Sequence, residues 1–291
     1  MICVSDKWKD YELLETGNGE KTERWGSYIL RRPDPQCIWP YPVTSRVNPD
    51  GVYNRSNTGG GSWQWKKAVP ERWQISYKQL KFYVEPTGFK HTGLFPEQAY
   101  NWDFLIEKIQ KEYDDRDGRI NVLNLFAYTG GATVACAYAG ASVCHVDASK
   151  GMVSRAKENA QLSGLSDAKI RYIVDDAVKF VKREINRNSK YDIIIMDPPS
   201  YGRGPKGEMW QVEDSLYNLV DLCMHVLSDK PIAFMINSYA SDISMTSIEN
   251  ILKLTIDMKY SGKTLSYELG LKQTDRKVTL PCGYTARWEN K

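Results

Sequence analysis

The sequence predicts a doubly wound α/β fold preceded by a small, mostly β module. From residue 79 onward, short apolar runs typical of strands alternate with longer amphipathic segments typical of helices. Several of these runs end in an acidic residue or an asparagine. Residues 1–78 instead combine many tryptophans with closely spaced turn formers. We therefore expect two domains, residues 1–78 and residues 79–291.

The bulk composition argues against several classes of protein. Of the 291 residues, 42% are apolar, and no apolar run is long enough to span a membrane. The stretch MICVSDKWKDYELL lacks the apolar core of a signal peptide, so we expect a cytoplasmic protein. The six cysteines form no CxxC pair, so we expect free thiols and no metal site. The 39 basic and 36 acidic residues give a net charge of +3, which is low for a protein that coats nucleic acid but allows an enzyme that binds one nucleic-acid site through a local patch.

The N-terminal module is predicted from alternating stretches such as GSYILRRP and GSWQWKKA, which lie between turns such as PDP and NTGGG. It contains six of the nine tryptophans: Trp8, Trp25, Trp39, Trp63, Trp65 and Trp73. These rings either stack unpaired bases on a β surface or form the core of a module that has few aliphatic residues. The candidate for a basic edge is RWGSYILRRPDP, with Arg24, Arg31 and Arg32; an ordinary solvated face is the alternative.

The second domain is predicted to open with a helix and then to alternate strands and helices. Strands are expected at residues 120–128, 141–149, 169–177, 191–199 and 230–240, and helices at residues 98–115, 132–140, 150–164, 178–187, 209–228 and 245–259. Two final strands, at residues 263–270 and 277–289, have no helix between them, so we expect an antiparallel edge. Ligands of such sheets bind beyond the carboxyl ends of the strands.

The first three strand ends carry a pattern that suits a nucleoside. Thr129, Gly130 and Gly131 form a turn into a helix, although GxGxxG is absent and a plain strand-to-helix turn has the same pattern. Asp147 lies 17 residues after Gly130 and can accept both ribose hydroxyls. At the third strand end, a carboxylate can accept the adenine amino group; the residues concerned are Asp175, Asp176 and Ala177. The alternative for each of these acids is a helix N-cap.

The fourth strand ends in MDPPSYG, which is the most discriminating motif. The two prolines make a stiff loop and remove N–H groups that would compete for its carbonyls, so Asp197 and the Pro198 carbonyl can accept hydrogen bonds from a planar amino group. Tyr201 can stack on the base that carries this group. The alternative is a structural turn with a surface aromatic residue.

The following segment, SYGRGPKGEMWQ, is expected to be a mobile loop because of its glycines and proline. Arg203 and Lys206 can contact phosphates, and Trp210 can stack on a base. An ordinary solvated loop is the alternative. The three histidines are too scattered for a metal-ligand pattern.

The motifs NLFAYTGGATVACAYAGA, VDASKGMVSRAKENAQLSGL, DDAVKFV and DPPSYGRG resemble those of class I S-adenosylmethionine-dependent methyltransferases. Together with the upstream stretch GFKHTGLFPEQ, they look like the bacterial large-subunit rRNA cytosine-C5 methyltransferase I family over residues 85–291. The resemblance implies a Rossmann-like sheet of seven strands, S-adenosyl-L-methionine as cofactor, and Asp197 and Pro198 facing the methyl group and the target base. It implies a cofactor site made of Thr92, Gln98, Phe126, Tyr128, Gly130, Asp147, Ala148, Ser149, Asp176, Ala177 and Asp197.

One departure from that family concerns the target atom. Methylation at C5 of cytosine needs a thiolate that attacks C6, and the family carries this cysteine just after the fifth strand. Here the stretch reads INSYAS, with Asn237 as a candidate substrate contact, and Cys223 lies at a core spacing on the preceding helix. We therefore expect a methyltransferase that modifies a nitrogen, or an oxygen, of an RNA base, with rRNA as the implied substrate.

Three alternatives stay open at this stage. The acceptor can be a small molecule or a protein amide, since Asp-Pro-Pro with an aromatic residue also suits a glutamine side chain. The chain can be an RNA-binding or assembly factor that has lost turnover, although the intact strand ends at Asp147, Asp176 and Asp197 argue against this. An NAD-dependent enzyme is disfavoured by the glycine pattern and by Asp-Pro-Pro.

Overall fold

The computed structural model describes residues 1–43, 47–56, 60–88, 90–203, 209–240 and 242–291, with Arg203 described in its backbone only. The chain divides into two compact units. The large unit comprises Met1–Ile2, Asn101–Glu268 and Gly283–Lys291, and the small unit comprises Cys3–Tyr100 and Leu269–Cys282. This division differs from the domains 1–78 and 79–291 expected from composition, because residues 79–100 and a C-terminal segment pack with the N-terminal strands.

The strands and helices account for most of the described chain. The first eight strands are β1 (Ile2–Val4), β2 (Tyr11–Gly17), β3 (Glu20–Trp25), β4 (Tyr28–Pro33), β5 (Gly51–Arg55), β6 (Gly61–Trp65), β7 (Trp73–Tyr77) and β8 (Leu80–Val84). The others are β9 (Asn121–Leu125), β10 (Ser142–Asp147), β11 (Ile170–Val174), β12 (Ile193–Met196), β13 (Tyr201–Arg203), β14 (Met209–Gln211), β15 (Ala233–Ser238), β16 (Gly262–Lys272) and β17 (Thr279–Asn290). The helices are α1 (Ala99–Tyr113), α2 (Gly131–Tyr138), α3 (Lys150–Leu162), α4 (Ala177–Asn186), α5 (Val212–Met224) and α6 (Met245–Leu254).

The main sheet has the strand order β1-β16-β17-β15-β12-β9-β10-β11. The strands β15, β12, β9, β10 and β11 run parallel, and β17 runs antiparallel to β15. The doubly wound α/β sheet is therefore confirmed. It has eight strands, one more than the resemblance implied, because the three-residue β1 joins its edge.

Both faces of the sheet are covered by helices, as the alternation of strands and helices requires. On one face, α4, α5 and α6 bury residues such as Phe180, Leu216 and Ile248 against β9, β12 and β15. On the other face, α1 and α2 bury residues such as Leu105 and Cys136. A parallel sheet buried on both faces needs nearly continuous apolar strands, and β12 (IIIM) is buried at every position. Because the central strands are parallel, the polar residues at their carboxyl ends lie along the same end of the sheet.

The small unit is mostly β, as the composition predicted. It contains a five-stranded sheet, β2-β3-β4-β5-β6, and the hairpin β7-β8. Buried Trp25 belongs to its core, which confirms the core alternative for that ring. The expected basic edge is wrong, because all three arginines are in ion pairs. Arg32 makes a bidentate pair with buried Glu23, and Arg24 and Arg31 pair with acids on β2.

The segment after the fourth strand differs from the prediction. Residues 209–228 were expected to form one helix, but Met209–Gln211 is a strand that pairs with Tyr201–Arg203, and α5 begins only at Val212. The predicted mobile loop is thus, in its described part, a two-stranded hairpin; its residues 204–208 lie outside the described residues. In the portion of the chain that the structure describes, no helix is long and apolar enough to cross a membrane.

Candidate functional site

The loop after β9 has an unusual backbone. Phe126 and Tyr128 have positive φ angles of 53° and 50°, and Gly130 follows at 82°. Left-handed φ angles are uncommon for non-glycine residues and cluster at ligand sites, where the surrounding structure must hold them. From the sequence, a positive φ angle could be expected only at the glycine of this loop, because aromatic residues rarely adopt one.

Buried polar side chains hold this loop in place. The Asn159 amide on α3 donates to the Thr129 carbonyl at 2.8 Å. Behind the loop, Asn124 Nδ2 donates to Thr133 Oγ1, which lies 2.9 Å from His145 Nδ1. Sequence reasoning assigned no role to Asn124, Asn159 or Thr133, and their spacing gave no signal, because each lies on a different element.

His145 is fully buried, as expected for a core histidine. Burial lowers the pKa of His145 to about 4, so the imidazole is neutral at pH 7. Thr133 Oγ1 and His145 Nδ1 share a hydrogen bond whose donor depends on the ring tautomer. Nε2 has no hydrogen-bond partner among the described residues. A neutral ring is therefore the form that this site tolerates.

Asp147 ends β10 directly beside the same loop. Its Oδ2 accepts the N–H of Tyr128 at 2.9 Å, and its Oδ1 accepts the N–H of Ser149 at 2.8 Å. Burial raises the pKa of Asp147, and the two N–H donors oppose that rise. Each carboxylate oxygen has a second lone pair, so the pair of oxygens can accept two further hydroxyl groups. This pair of acceptors fits the ribose diol expected at this strand end.

The N-cap of α3 is Ser149, whose hydroxyl accepts the N–H of Met152. Asp147 is therefore not the cap, and the capping alternative for it is wrong. Ala148 and Ser149 are exposed between β10 and α3. Their expected place beside the adenine stays a prediction.

At the end of β11, the capping alternative describes Asp176 correctly. Its Oδ1 accepts the N–H of Lys179 at 2.9 Å, which leaves Oδ2 and one lone pair of Oδ1 for an adenine amino group. Asp175 forms an ion pair with Arg183 and accepts the N–H of Asp176. Ala177 is buried at the first position of α4, where backbone N–H groups lack intrahelical partners.

The Asp-Pro-Pro motif follows β12, the neighbour of β9. The Asp197 N–H lies 3.4 Å from the Leu125 carbonyl, which sets this carboxylate next to the loop 126–130. Pro198 is buried and Pro199 is exposed. The Pro199 carbonyl accepts the Trp210 Nε1–H at 2.7 Å, and the ligand contact expected of the Pro198 carbonyl stays a prediction.

The expectation that Trp210 stacks on a substrate is also wrong. Its side chain is only 8% exposed, and its ring lies 5.0 Å from the ring of Phe126, centroid to centroid. The Trp210 ring packs in the core and anchors the β13-β14 hairpin there. Trp210 lies on the same face of the hairpin as its pairing partner Gly202. The sequence shows a tryptophan after a glycine-rich segment, but it does not show on which side of a hairpin the ring lies.

The other face of the hairpin is exposed. Tyr201 is 50% exposed, and its hydroxyl lies 3.7 Å from the sulfur of Met209, which is 63% exposed. Tyr201 is therefore accessible as expected. The proposed phosphate contacts of Arg203 and Lys206 concern side chains that lie outside the described residues.

Asn237 lies at the end of β15, one strand from Asp197. Its Oδ1 accepts hydrogen bonds from Asn101 Nδ2 at 3.0 Å and from Thr285 Oγ1 at 2.8 Å, and the side chain is buried. Tyr267 donates to Asn101 in the same cluster. The expected substrate contact of Asn237 is thus corrected: its carbonyl oxygen links α1 to β15 and β17.

Thr92 and Gln98 belong to the small unit and are both buried. Gln98 ends a short 3-10 helix, Pro96–Gln98, and Thr92 Oγ1 has no hydrogen-bond partner among the residues described. An unpartnered buried hydroxyl is costly, which is compatible with a ligand contact. Their role in cofactor binding stays a prediction. No cluster of three or more metal-binding side chains occurs in the described ranges.

Comparisons with known proteins define the class. A family model described as S-adenosylmethionine-dependent methyltransferase matches residues 52–224, more than half of the chain. The chain therefore belongs to the S-adenosylmethionine-dependent methyltransferases, and its methyl donor is S-adenosyl-L-methionine. This confirms the predicted class and cofactor and excludes the NAD-dependent alternative.

Particular relatives refine the picture. The crystal structure of the SAM-dependent methyltransferase from Agrobacterium tumefaciens is 39% identical, with a TM-score of 0.93, and the match covers 100% of this chain and 94% of that one. The tRNA m1G37 methyltransferase of M. jannaschii shares the fold at 13% identity and a TM-score of 0.56, over 97% of this chain and 74% of that one. The rRNA large subunit methyltransferase K/L of Shewanella frigidimarina (strain NCIMB 400) is 30% identical over 72% of this chain. This chain spans only about a third of the length of such curated relatives, with 28% and 34% covered in two of them.

Proposed function

We propose that this protein transfers a methyl group from S-adenosyl-L-methionine to a nitrogen of an RNA base, with ribosomal RNA as the substrate. The name of the Shewanella frigidimarina relative supports RNA as the acceptor. The observation that carries the choice of nitrogen is the end of β15. Asn237, Ser238 and Tyr239 stand where a C5 enzyme of the resembled family has its cysteine. An rRNA substrate would place the enzyme in the cytoplasm.

The cofactor half of the proposed site is the edge formed by β9, β10 and β11. When bound, S-adenosylmethionine supplies a methyl group on a reactive sulfonium, so the protein contributes mainly position and charge. The loop with Phe126, Tyr128 and Gly130 binds the methionine end. Asp147 orients the ribose through its remaining lone pairs, and Asp176 with Ala177 adjoins the adenine.

The acceptor half of the proposed site is the end of β12. Asp197 and the Pro198 carbonyl accept N–H groups of the base, which orients the acceptor nitrogen and raises its electron density. Tyr201 offers an exposed ring on which this base can stack. When the nitrogen lone pair attacks the methyl carbon, the bond from this carbon to sulfur would break and S-adenosylhomocysteine would leave. An amino acceptor would then lose a proton to Asp197 or to water. No covalent bond between the base and the protein is required.

Covalent C5 chemistry lacks a suitable thiol in the large unit. Its three cysteines, Cys136, Cys144 and Cys223, are all buried. Burial raises the pKa of Cys144 to about 11 and that of Cys136 and Cys223 further. A thiolate nucleophile needs the opposite shift. These facts support a nitrogen acceptor.

The test is transfer of tritiated methyl groups to RNA, protein and metabolite fractions from a deletion strain, followed by mass spectrometry of the labelled nucleosides. We expect label in RNA as an N-methylated nucleoside. Asp197→Asn should lower this transfer by roughly 100-fold or more, on the scale of a lost transition-state contact. Asp229→Asn, in an exposed bend, is the matched control and should retain activity.

Recovery of 5-methylcytosine would contradict the nitrogen assignment while leaving RNA as the substrate. Label in the protein or metabolite fraction instead would contradict RNA and favour an amide or a small molecule. Full activity of Asp197→Asn would remove Asp197 from the proposed acceptor site.

A further inference from the structure

A face of the five-stranded sheet in the small unit carries a cluster of three aromatic residues, of which Trp65 is exposed to solvent. The antiparallel register pairs Gly51 with Trp65, Tyr53 with Trp63, and Arg55 with Gly61. Paired residues and residues two apart share a sheet face, so all six lie on the same side of β5 and β6. We call this surface the tryptophan face. It lies at the sheet's β6 edge.

The tryptophans of this face are rigidly supported. Trp63 and Trp65 stack with 5.2 Å between ring centroids and 13° between planes. The Trp63 Nε1–H donates to the Thr87 carbonyl at 2.9 Å, and Tyr53 packs against Trp63 edge-on at 5.4 Å. A ring held in this way loses little entropy when a ligand stacks on it.

Trp65 is the exposed member of the pair. It is 40% exposed although it is one of the largest apolar side chains of the unit. Its ring packs directly on Gly51, where a Cβ atom would come within 2.3 Å of the ring carbon Cζ3. Only glycine leaves room for this arrangement. The ring is therefore held between Gly51 and Trp63, and 40% of the residue remains exposed to solvent.

Basic side chains flank the tryptophan face. Arg55 lies exposed on the face itself. Lys67 pairs with Asp50 and keeps half of its side chain in solvent. These cations complement an anion.

We infer that the tryptophan face binds unpaired RNA, with a base stacked on Trp65 and a neighbouring phosphate held by Arg55. Exposed rings interleaved with cations are the requirement for single-stranded nucleic acid, because every base offers a π face and every nucleotide a charge. Duplex RNA buries its base faces and cannot use such a ring. The inference rests on the proposed function in taking RNA as the ligand, but it concerns a second surface.

The test is fluorescence anisotropy of the full chain with a labelled single-stranded RNA of about 12 nucleotides, and with the same sequence as a duplex. We expect the single strand to bind more tightly. Trp65→Ala should weaken its binding about 5- to 100-fold, the range for loss of one stacked base, and Trp65→Phe should restore most of it. The binding of S-adenosylhomocysteine should not change in either variant.

Two further variants separate stacking from charge and guard against misfolding. Gly51→Val keeps the ring but forces it to move, and it should weaken binding as Trp65→Ala does. Arg55→Gln is exposed, so folding is not at stake, and it should lower the slope of log affinity against log salt by about 0.7. Lys157→Gln, on the exposed side of α3, is the matched control and should leave the slope unchanged.

Unchanged single-strand binding in both Trp65→Ala and Arg55→Gln would overturn the inference, even if the wild type methylates RNA. Preference for the duplex, or retention of full affinity in Gly51→Val and Trp65→Ala together, would also overturn it. Conversely, binding that depends on Trp65 in a protein that transfers no methyl group to RNA would support the inference and refute the proposed function.

Discussion

Replacing Asp147 by asparagine tests the cofactor edge most directly. The two oxygens of Asp147 accept the N–H groups of Tyr128 and Ser149 at 2.9 and 2.8 Å. The amide that replaces the carboxylate has one oxygen and one NH₂ group, so whichever way it turns, one backbone N–H faces a donor. If Asp147 holds the ribose as proposed, one ribose hydroxyl also loses its acceptor in the bound state.

The magnitude follows from these lost contacts. A hydrogen bond to a charged group contributes about 1.5–3 kcal/mol, so one lost ribose contact should weaken S-adenosylmethionine binding about 10- to 150-fold. The mispaired backbone N–H should lower the free energy of unfolding by about 1–3 kcal/mol. Isothermal titration calorimetry with S-adenosylmethionine and urea unfolding measure the two effects. Asp167→Asn, in an exposed turn, is the control.

The same carboxylate predicts a pH dependence. Burial raises the pKa of Asp147 above its ordinary value of 3.8, and ribose donors favour the charged form, so binding should release protons. Affinity should therefore fall on acidification, beginning at a higher pH than an ordinary aspartate would require, and Asp147→Asn should flatten this profile. Wild-type affinity in Asp147→Asn at pH 7 would refute the assignment of Asp147 to the ribose.

Three further predictions concern the supports of the site. Gly130→Ala should lower the free energy of unfolding by more than Gly164→Ala does. Both substitutions add left-handed strain of about 1 kcal/mol, but the new Cβ at Gly130 would lie 2.8 Å from the Cβ of Ala156, whereas at Gly164 it meets nothing. Equal losses in urea unfolding would contradict this. Burial lowers the pKa of His145 to about 4, so the folded state binds this proton less readily than the unfolded state does. The free energy of unfolding should therefore fall by about 3 kcal/mol as the pH falls from 6.5 through 4. His145→Leu should not show that loss. Trp210→Phe should cost about 0.5–1.5 kcal/mol for the lost bond to the Pro199 carbonyl, and Trp210→Ala about 3–5 kcal/mol, in thermal unfolding; an unchanged melting temperature for both would contradict the buried anchor.

Much of the fold could be predicted because its signals are local. The alternation of apolar runs with amphipathic segments predicted each strand from β9 to β12 and each helix from α1 to α4. The strand ends then placed Asp147, Asp176 and Asp197 on one edge, since parallel strands end together. The start of α5 was misplaced because a strand of three residues, Met209–Gln211, exists only through pairing with β13.

The roles of individual side chains were less predictable. Trp210 and Asn237 were expected to meet substrate, and both are buried, one against Phe126 and the other in a cluster with Asn101 and Thr285. These partners are separated by 84 residues and by 136 and 48 residues along the chain. No short pattern records a contact between such distant positions.

The sequence by itself determined the class of the protein, the order of its central strands and helices along the chain, and the end of the sheet that carries the acidic residues. These features depend on the periods of apolar residues and on the residues that end each strand. Only the tertiary structure decided that Phe126 and Tyr128 adopt left-handed φ angles, that Asp147 uses half of its acceptor capacity on the backbone, and that Trp65 lies open on the sheet while Trp25 is buried. The physical reason is that exposure and hydrogen-bond occupancy are set by neighbours that the fold brings together, and not by neighbours along the chain.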